Sequence, residues 1–262
     1  FEGAVVRGSG SLAGRVDGCT AYRTAQEVAD LADVVFITTS DDAIEPVASA
    51  ISWRLDQGVV HCSGAASLDV LEKAMSQGAT AGAFHPLQAF SSVETGAKSM
   101  PGMTFGIEGN AEMQAFLRDM ALDMGGNPVF IDAQDKAVYH ITGVMMGNLL
   151  TALAAVAAQL WEKFGRERAE GVEALAPMMR QVSINLDSSG IPGALAGPYV
   201  RGDIGTVLKH LQTLQSRAPE VLPLYCELAL AGLPFALEKG TLKSQRADEI
   251  RILVEQFRNT SA

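Results

Sequence analysis

The sequence predicts an α/β domain built on a parallel sheet, followed by an all-helical domain. Up to about residue 131, short β-rich runs alternate with segments that carry apolar residues at helical spacing. Because parallel neighbours need a crossover connection, this alternation is typical of parallel βαβ units. After Asp132 only helical patterns remain, apart from a stretch rich in Gly and Pro at 188–203. We therefore predict two domains, 1–132 and 133–262.

Each predicted element follows from a local pattern. The predicted strands are 34–38, 58–61, 79–84, 103–107 and 128–131. The first two are nearly continuous apolar runs, which indicates strands that are covered on both faces. Apolar residues at helical spacing predict the helices. These are 42–55, 68–76 and 111–124 in the first domain, and 136–164, 167–186, 206–217, 219–237 and 246–257 in the second.

The composition excludes several classes of protein. Hydrophobic residues make up 48% of the chain and charged residues 19%, which is too apolar for a disordered protein. A net charge of −10 repels polyphosphate, so we expect no nucleic-acid partner. The three cysteines have no paired spacing, which indicates a reducing compartment and predicts no disulfide. No histidines stand at the spacing of metal ligands, so we expect no metal.

We expect no membrane segment either. The first residues lack the charged and apolar regions of a signal peptide. The most apolar stretch, 141–160, contains Asn148 and Thr151 and continues into charged residues. It therefore predicts a buried helix rather than a membrane span. The expected location is the cytoplasm.

The start of the chain lacks a usable phosphate-binding loop. A G-x-G-x-x-x-G pattern follows the apolar run 4–6, but the segment behind it is too short for the required helix. We interpret 4–6 as the second strand, so the first strand and its glycine loop, about 25 residues of a unit of about 30, would precede Phe1. Arg7 and Ser9 then stand where an acidic residue would bind the ribose of NAD, and they suit the 2′-phosphate of NADP better. An ordinary polar loop is the alternative.

Small and polar residues follow three of the predicted strands. They are Thr39, Ser40 and Asp41 after the first strand, Ser63 and Gly64 after the second, and His85 after the third. In open parallel sheets, ligands bind at the carboxyl ends of the strands. We therefore expect the dinucleotide to be bound by the residues after the first two strands, Thr39, Ser40, Asp41, Ser63 and Gly64, although polar residues also simply end strands.

A second group of polar residues lies on the first long helix. Lys136 and His140 are four residues apart and share one helix face, and Asn148 lies two further turns along. Reduction of a carbonyl or imine needs a proton donor, and Lys136, His140 or His85 would serve. Asn148 would hold the substrate oxygen or carboxylate. The alternative places Lys136 in solvent and His140 in the core.

The segment GPYVRGD supplies the remaining candidates. Arg201 would bind a substrate carboxylate with two hydrogen bonds. Asp203 is either a further substrate ligand or the N-cap of the next helix, and His210 on that helix would add positive charge.

Several motifs in this order resemble one known family. VVFITTSDDAIEPVA, VVHCSGAASLDVLEKAMSQGATAGAFHPLQAF, MTFGIEG, KAVYH, GNLL, GALAGPYVRGD and TVLKHL are similar to Rossmann-like oxidoreductases with a C-terminal helical domain of formerly unknown function. That family is related to pyrroline-5-carboxylate reductase and 6-phosphogluconate dehydrogenase, and some members resemble an alternative ketopantoate reductase. The residues that match its motifs are His85, Lys136, His140, Asn148 and Arg201.

The resemblance implies an NADP-linked reductase of small keto or imino acids that forms a homodimer through its helical domains. The leading hypothesis is reduction of a 2-keto acid of the ketopantoate type with NADPH; NAD is less expected. The runner-up within the enzymes is an imine reductase of the pyrroline-5-carboxylate type. A protein of another class, which keeps the fold as a non-catalytic nucleotide-binding scaffold, is the third hypothesis.

Overall fold

The computed structural model describes residues 20–90, 92, 96 and 98–260. The interpretations of Arg7, Ser9 and the strand at 4–6 lie outside the described residues. Within them, the prediction of a sheet domain followed by helices is confirmed.

The sheet contains five strands in the order of the chain. They are β1 (Val34–Ile37), β2 (Gly58–His61), β3 (Thr80–Leu87), β4 (Thr104–Gly109) and β5 (Asn127–Phe130). Neighbouring strands are parallel except for β3 and β4, which are antiparallel. The prediction of a purely parallel sheet is therefore wrong for this one pair. The sequence assigns no helix between these two strands, and antiparallel neighbours need no crossover helix.

Strand β3 runs further than predicted. His85 and Pro86 pair with Gly106 and Phe105 of β4, so they lie within the strand and do not form a corner behind it. Pairing of β3 with β2 ends at Ala83. From there on β3 is an edge on the β2 side, and an edge tolerates the missing N–H of proline.

Helices cover both faces of the sheet. On one face α1 (Ala25–Leu31), α2 (Asp41–Ala50) and α3 (Glu72–Ser76) pack with Val35 and Val59. On the other face α4 (Ala111–Asp123) packs with Val60 and Phe84 through residues one helical turn apart. All four residues of β2 are buried, as its continuous apolar run predicts.

Helix boundaries follow ordinary capping chemistry. The side chain of Thr24 accepts a hydrogen bond from the Glu27 N–H, and the Glu27 carboxylate accepts one from the Thr24 N–H, which together form a capping box that starts α1. Asn110 caps α4 by accepting a hydrogen bond of 2.9 Å from the Met113 N–H.

The predicted helix 136–164 is helical throughout but not uniform. It consists of α5 (Lys136–Val144), a π-helical turn at Met145–Leu149, α6 (Leu150–Gln159) and a 3₁₀ turn at Leu160–Phe164. By its contacts the chain divides into two units, 1–149 and 150–262. The predicted boundary lies earlier, at 132/133, where the alternation of strands and helices ends.

The second unit is helical, with α7 (Arg168–Gly193), α8 (Pro198–Arg201), α9 (Ile204–Arg217), α10 (Leu222–Glu238) and α11 (Ser244–Asn259) following α6. Its core is formed mainly by α9, α10 and α11, through buried residues such as Leu211, Leu233 and Ile250. The predicted irregular stretch 188–203 is helical in part. Helical geometry breaks at Gly190 and Ile191, and α8 follows.

The apolar stretch in 141–160 is not a buried helix, and that prediction is wrong for the single chain. Among the described residues, Ala133–Phe164 is the one helical stretch that is long and apolar enough to cross a membrane by length and composition, with a mean hydropathy of 1.7 and 6% of that window buried. Several large apolar side chains of α5 and the π-helical turn are exposed. They are Val138, Ile141, Met145, Met146 and Leu149.

Candidate active site

One face of the sheet collects ionisable side chains in adjacent rows. His61 on β2, Ala83 on β3 and Glu108 on β4 are register partners across three strands. In the next row, His85 pairs with Gly106. Because side chains two residues apart point to the same face of a strand, His61, His85 and Glu108 share one face. The helix α5 packs over these rows through the contacts described below.

Lys136, the first residue of α5, forms an ion pair with Glu108. Its Nζ lies 2.8 Å from Oε2 of Glu108, and the two residues are only 4% and 8% exposed. Burial lowers the pKa of Lys136, an effect that the hydrogen bond and charge of Glu108 and the charge of Asp41 oppose. The alternative of a solvent-exposed Lys136 is therefore wrong. The pair fixes the start of α5 to β4.

Tyr139 lies one turn further along α5 and contacts His85. Its hydroxyl is 3.0 Å from Nδ1 of His85, and the two rings are nearly perpendicular, at 89°. Gly106 makes room for the phenol, because a Cβ at that position would lie 2.7 Å from the hydroxyl oxygen. Burial raises the pKa of Tyr139 to about 12, and the polar backbone of Gly106 nearby partly offsets this rise.

His140 faces the other side of the His85 ring. The two ring centroids are 5.9 Å apart. Gly64 lies against both rings, because a Cβ at that position would lie 2.6 Å from Nε2 of His85 and 2.6 Å from Cδ2 of His140. Burial lowers the pKa of His85 to about 4, and the charges of His140 and Lys136 contribute to the decrease. His85 is therefore neutral near pH 7.

The turn behind β2 brings Ser63 and Asp41 together. The Ser63 hydroxyl donates a hydrogen bond of 2.8 Å to Oδ2 of Asp41 and accepts two from the Ala65 and Ala66 N–H groups. The Ser63 N–H in turn donates to Nδ1 of His61 at 3.2 Å. His61 is fully buried, and burial lowers its pKa to about 4. This network fixes the backbone that carries Gly64.

The structure thus brings together six of the residues that the sequence singles out, namely Asp41, Ser63, Gly64, His85, Lys136 and His140. Thr39 and Ser40 are exposed at the carboxyl end of β1. Asn148 is exposed in the π-helical turn. That turn interrupts the α-helical spacing on which its predicted alignment with His140 depends.

The three other candidates belong to the second unit. Asp203 caps α9, because its carboxylate accepts hydrogen bonds from the Thr206 N–H at 3.0 Å and the Thr206 hydroxyl at 2.7 Å, as the capping alternative expects. His210 lies 2.8 Å from the Tyr225 hydroxyl through Nδ1. Arg201 ends α8, is exposed and lines a surface cavity together with Lys239.

Sequence reasoning missed Glu108, Tyr139, His61 and Gly106. Tyr139 has a signal in the sequence, because it stands three residues after Lys136 and therefore near the same helix face. Glu108 has a weaker signal, an acidic residue inside a predicted β-rich segment, where a buried carboxylate needs a partner. Among the described residues, no group of three or more His, Cys, Asp or Glu could hold a metal ion.

The fold is that of a Rossmann-like sheet domain followed by a helical region. Residues 103–231, which include Glu108, Lys136, His140 and Arg201, match a family described as a domain of unknown function, DUF2520. The resemblance that the sequence motifs indicate is thereby confirmed. No protein with a curated description matches the chain significantly.

Solved structures share this fold. Protein TM1727 from Thermotoga maritima is 21% identical with a TM-score of 0.63, and the match covers 93% of this chain and 83% of that one. BF3122 from Bacteroides fragilis, a candidate NADP oxidoreductase, is 21% identical with a TM-score of 0.62, covering 82% and 81%. A reductive aminase from Aspergillus terreus, solved with NADPH and ethyl-5-oxohexanoate, is 16% identical with a TM-score of 0.53, covering 93% and 79%. At these identities the likeness concerns the fold.

Proposed function

We propose that the protein is an NADP-dependent oxidoreductase that reduces the carbonyl group of a small 2-keto acid. The observation that carries the proposal is the position of His85, a neutral imidazole beyond the last residue pair of β2 and β3, next to a residue without a side chain, Gly64. Ligands bind at this edge of open α/β sheets. Two of the structural neighbours are named with NADP or NADPH, which supports the choice of cofactor.

The residues at this edge fit a dinucleotide. Thr39 and Ser40 present exposed hydroxyl groups behind β1. Gly64 lets its backbone lie close to the two imidazoles, because a Cβ at that position would clash with both rings. Hydroxyl and backbone groups of this kind would hold the phosphates and ribose of NADP. When bound, the reduced cofactor supplies the hydride.

The chain's own residues would orient the substrate and stabilise the charge that develops on its oxygen, while the proton that completes the alcohol would come from water. A neutral imidazole N–H of His85 donates a hydrogen bond to the carbonyl oxygen, where negative charge develops during reduction. His140 faces the other side of the His85 ring. The buried pair of Lys136 and Glu108 is not exposed to a ligand, and it holds α5 and its two other site residues against the sheet. We assign Lys136 this structural role in place of proton donation.

The carboxylate of the substrate would need a local cation, because the net charge of the chain is −10. The candidate that the sequence indicates for this cation is Arg201, whose exposed guanidinium matches a carboxylate with two hydrogen bonds. An imine substrate is the alternative, because one structural neighbour is a reductive aminase.

The experiment that tests the proposal measures binding and substrate range together. Quenching of the two tryptophans is followed during titration with NADPH and with NADH. NADPH oxidation is then followed with a panel of 2-keto acids, their esters and cyclic imines. The proposal expects tighter binding of NADPH and turnover of a keto acid but not of its ester. Turnover of imines alone supports the alternative, and binding of neither nucleotide contradicts both.

We further propose that a second copy of the chain covers the apolar surface formed by α5 and the π-helical turn that follows it. Val138, Ile141, Met145 and Leu149 follow one another at three- and four-residue spacing, and each is more than half exposed. The opposite side of the same helix is tied to the sheet through the buried Lys136, which opposes insertion of α5 into a membrane. A self-complementary apolar stripe suits an isologous dimer.

We expect V138D to convert the dimer into a monomer, because a charge would then be buried at the interface. Light scattering coupled to size-exclusion chromatography measures the mass of both proteins. L55D is the matched control, since Leu55 is 77% exposed and lies in a turn remote from α5 in the chain. A monomeric parent chain, or a V138D variant that stays dimeric, would rule out this interface.

A further inference from the structure

The hydrogen bond between His85 and Tyr139 admits two arrangements of protons. Either the tyrosine hydroxyl donates to Nδ1 of His85, or a proton on Nδ1 is donated to the hydroxyl oxygen. The first arrangement leaves the ring proton of the neutral histidine on Nε2, and the second leaves Nε2 without a proton. The choice decides whether His85 offers a ligand a donor or an acceptor.

The surroundings of the phenol favour the first arrangement. Burial raises the pKa of Tyr139 to about 12, so the phenol keeps its proton near pH 7. The hydroxyl proton still needs an acceptor, and Nδ1 of His85, at 3.0 Å, is the acceptor that the described residues provide. Leaving that proton without an acceptor in a half-buried place would cost free energy.

The second ring nitrogen of His85, Nε2, faces Gly64. Nε2 lies over Gly64, where a Cβ would come within 2.6 Å of it. Among the residues the structure describes, Nε2 has no hydrogen-bond partner, and the ring is only half-buried. A proton placed on Nε2 is therefore available to a group bound beside Gly64.

We propose that Tyr139 is a positioning residue that holds His85 in the tautomer with its proton on Nε2. His85 then meets a bound carbonyl group as a neutral hydrogen-bond donor. The role of His85 as a donor to a carbonyl group rests on the proposed reductase function. The tautomer of His85, by contrast, is a property of the protein alone.

Nuclear magnetic resonance of the chain with ¹⁵N-labelled histidine tests the first statement. Only four histidines are present, and H85Q identifies the signals of His85 by their loss. At pH 7.5 we expect the ring proton of His85 on Nε2. In Y139F, the Nδ1 signal moves and part of the proton population shifts to Nδ1. A proton on Nδ1 in the parent chain, or a tautomer distribution unchanged in Y139F, would overturn the proposal.

A second His–Tyr pair provides the matched control. His210 and Tyr225 in the helical unit are joined through Nδ1 and the hydroxyl at 2.8 Å. Y225F should change the signals of His210 and leave those of His85 as they are, and Y139F should do the reverse. Changes at both histidines in either variant would indicate a general structural disturbance and would also count against the proposal.

Steady-state kinetics tests separately whether His85 donates a hydrogen bond to the bound carbonyl group. We expect Y139F to lower kcat about tenfold, the effect of one net hydrogen bond, with the KM for NADPH unchanged. An unchanged kcat together with the expected tautomer shift would refute the donor role alone. If the chain does not turn over NADPH at all, the proposed function fails while the tautomer result still decides the role of Tyr139.

Discussion

Replacing Glu108 by Gln is expected to destabilise the protein by about 3–5 kcal/mol, because it leaves the ammonium of Lys136 buried without its partner. The two residues are only 4% and 8% exposed, and no other acidic side chain among the described residues forms an ion pair with Lys136. K136M is expected to have a similar effect, since it leaves the carboxylate of Glu108 unpaired. Urea unfolding followed by circular dichroism measures both changes.

The double variant E108Q/K136M separates the contribution of the ion pair from the cost of leaving one buried charge unpaired. It removes both charges, so we expect it to recover most of the lost stability, and its loss should be smaller than that of either single variant rather than their sum. E249Q is the matched control, because Glu249 forms an exposed pair with Arg246 at the same distance of 2.8 Å. An exposed pair contributes at most about 1 kcal/mol. Equal effects of E108Q and E249Q would show that the Lys136–Glu108 pair does not fix α5.

Replacing His85 by Gln is expected to lower kcat by about 10²–10³-fold, the usual contribution of a positioned hydrogen-bond donor to a developing oxyanion. Glutamine keeps a donor of similar reach but holds its amide differently and does not titrate. NADPH binding should stay within about twofold, because we place the phosphates and ribose of NADP at Thr39 and Ser40 rather than at His85. Steady-state kinetics and fluorescence titration measure the two quantities on the same preparation.

The pH dependence of kcat tests the same role of His85 as a neutral donor. Burial, with the charges of His140 and Lys136, holds the pKa of His85 near 4, so the ring stays neutral as the pH rises through 6.5. We expect kcat to stay level between about pH 5.5 and 8 as far as His85 is concerned. Tyr139 and Glu108 also face this group, but the pKa of Tyr139 is about 12 and Glu108 is paired. A loss of activity above pH 6.5 that H85Q abolishes would mean that a charged imidazolium acts in its place.

The sequence predicts the sheet well because burial on both faces leaves a strong pattern. The run at β2 is apolar throughout, and its predicted bounds agree with those of the strand. The direction of β4 is harder to predict from the sequence, since a strand has the same side-chain pattern whichever way it runs. The extension of β3 past Phe84 is not predicted from the sequence, because proline normally ends a strand.

The site is predictable only in part, for a related reason. His85, His140 and Lys136 stand out as titratable residues at strand ends or on one helix face. Glu108 does not, because its importance lies in a partner 28 residues away in the chain. Whether Lys136 is buried or exposed depends on that contact and not on helical spacing. The sequence predicts a buried helix at 141–160, but a hydrophobic pattern indicates only that a surface is covered and not by which chain.

NADPH oxidation by the parent chain and by H85Q, compared at saturating NADPH over the panel of keto acids and imines, tests the central claim most directly. The account predicts that at least one compound supports turnover by the parent chain and that H85Q, with its NADPH affinity intact, loses at least 100-fold of that rate. Equal rates in the two proteins, or a chain that binds NADPH yet reduces none of the compounds, would contradict it.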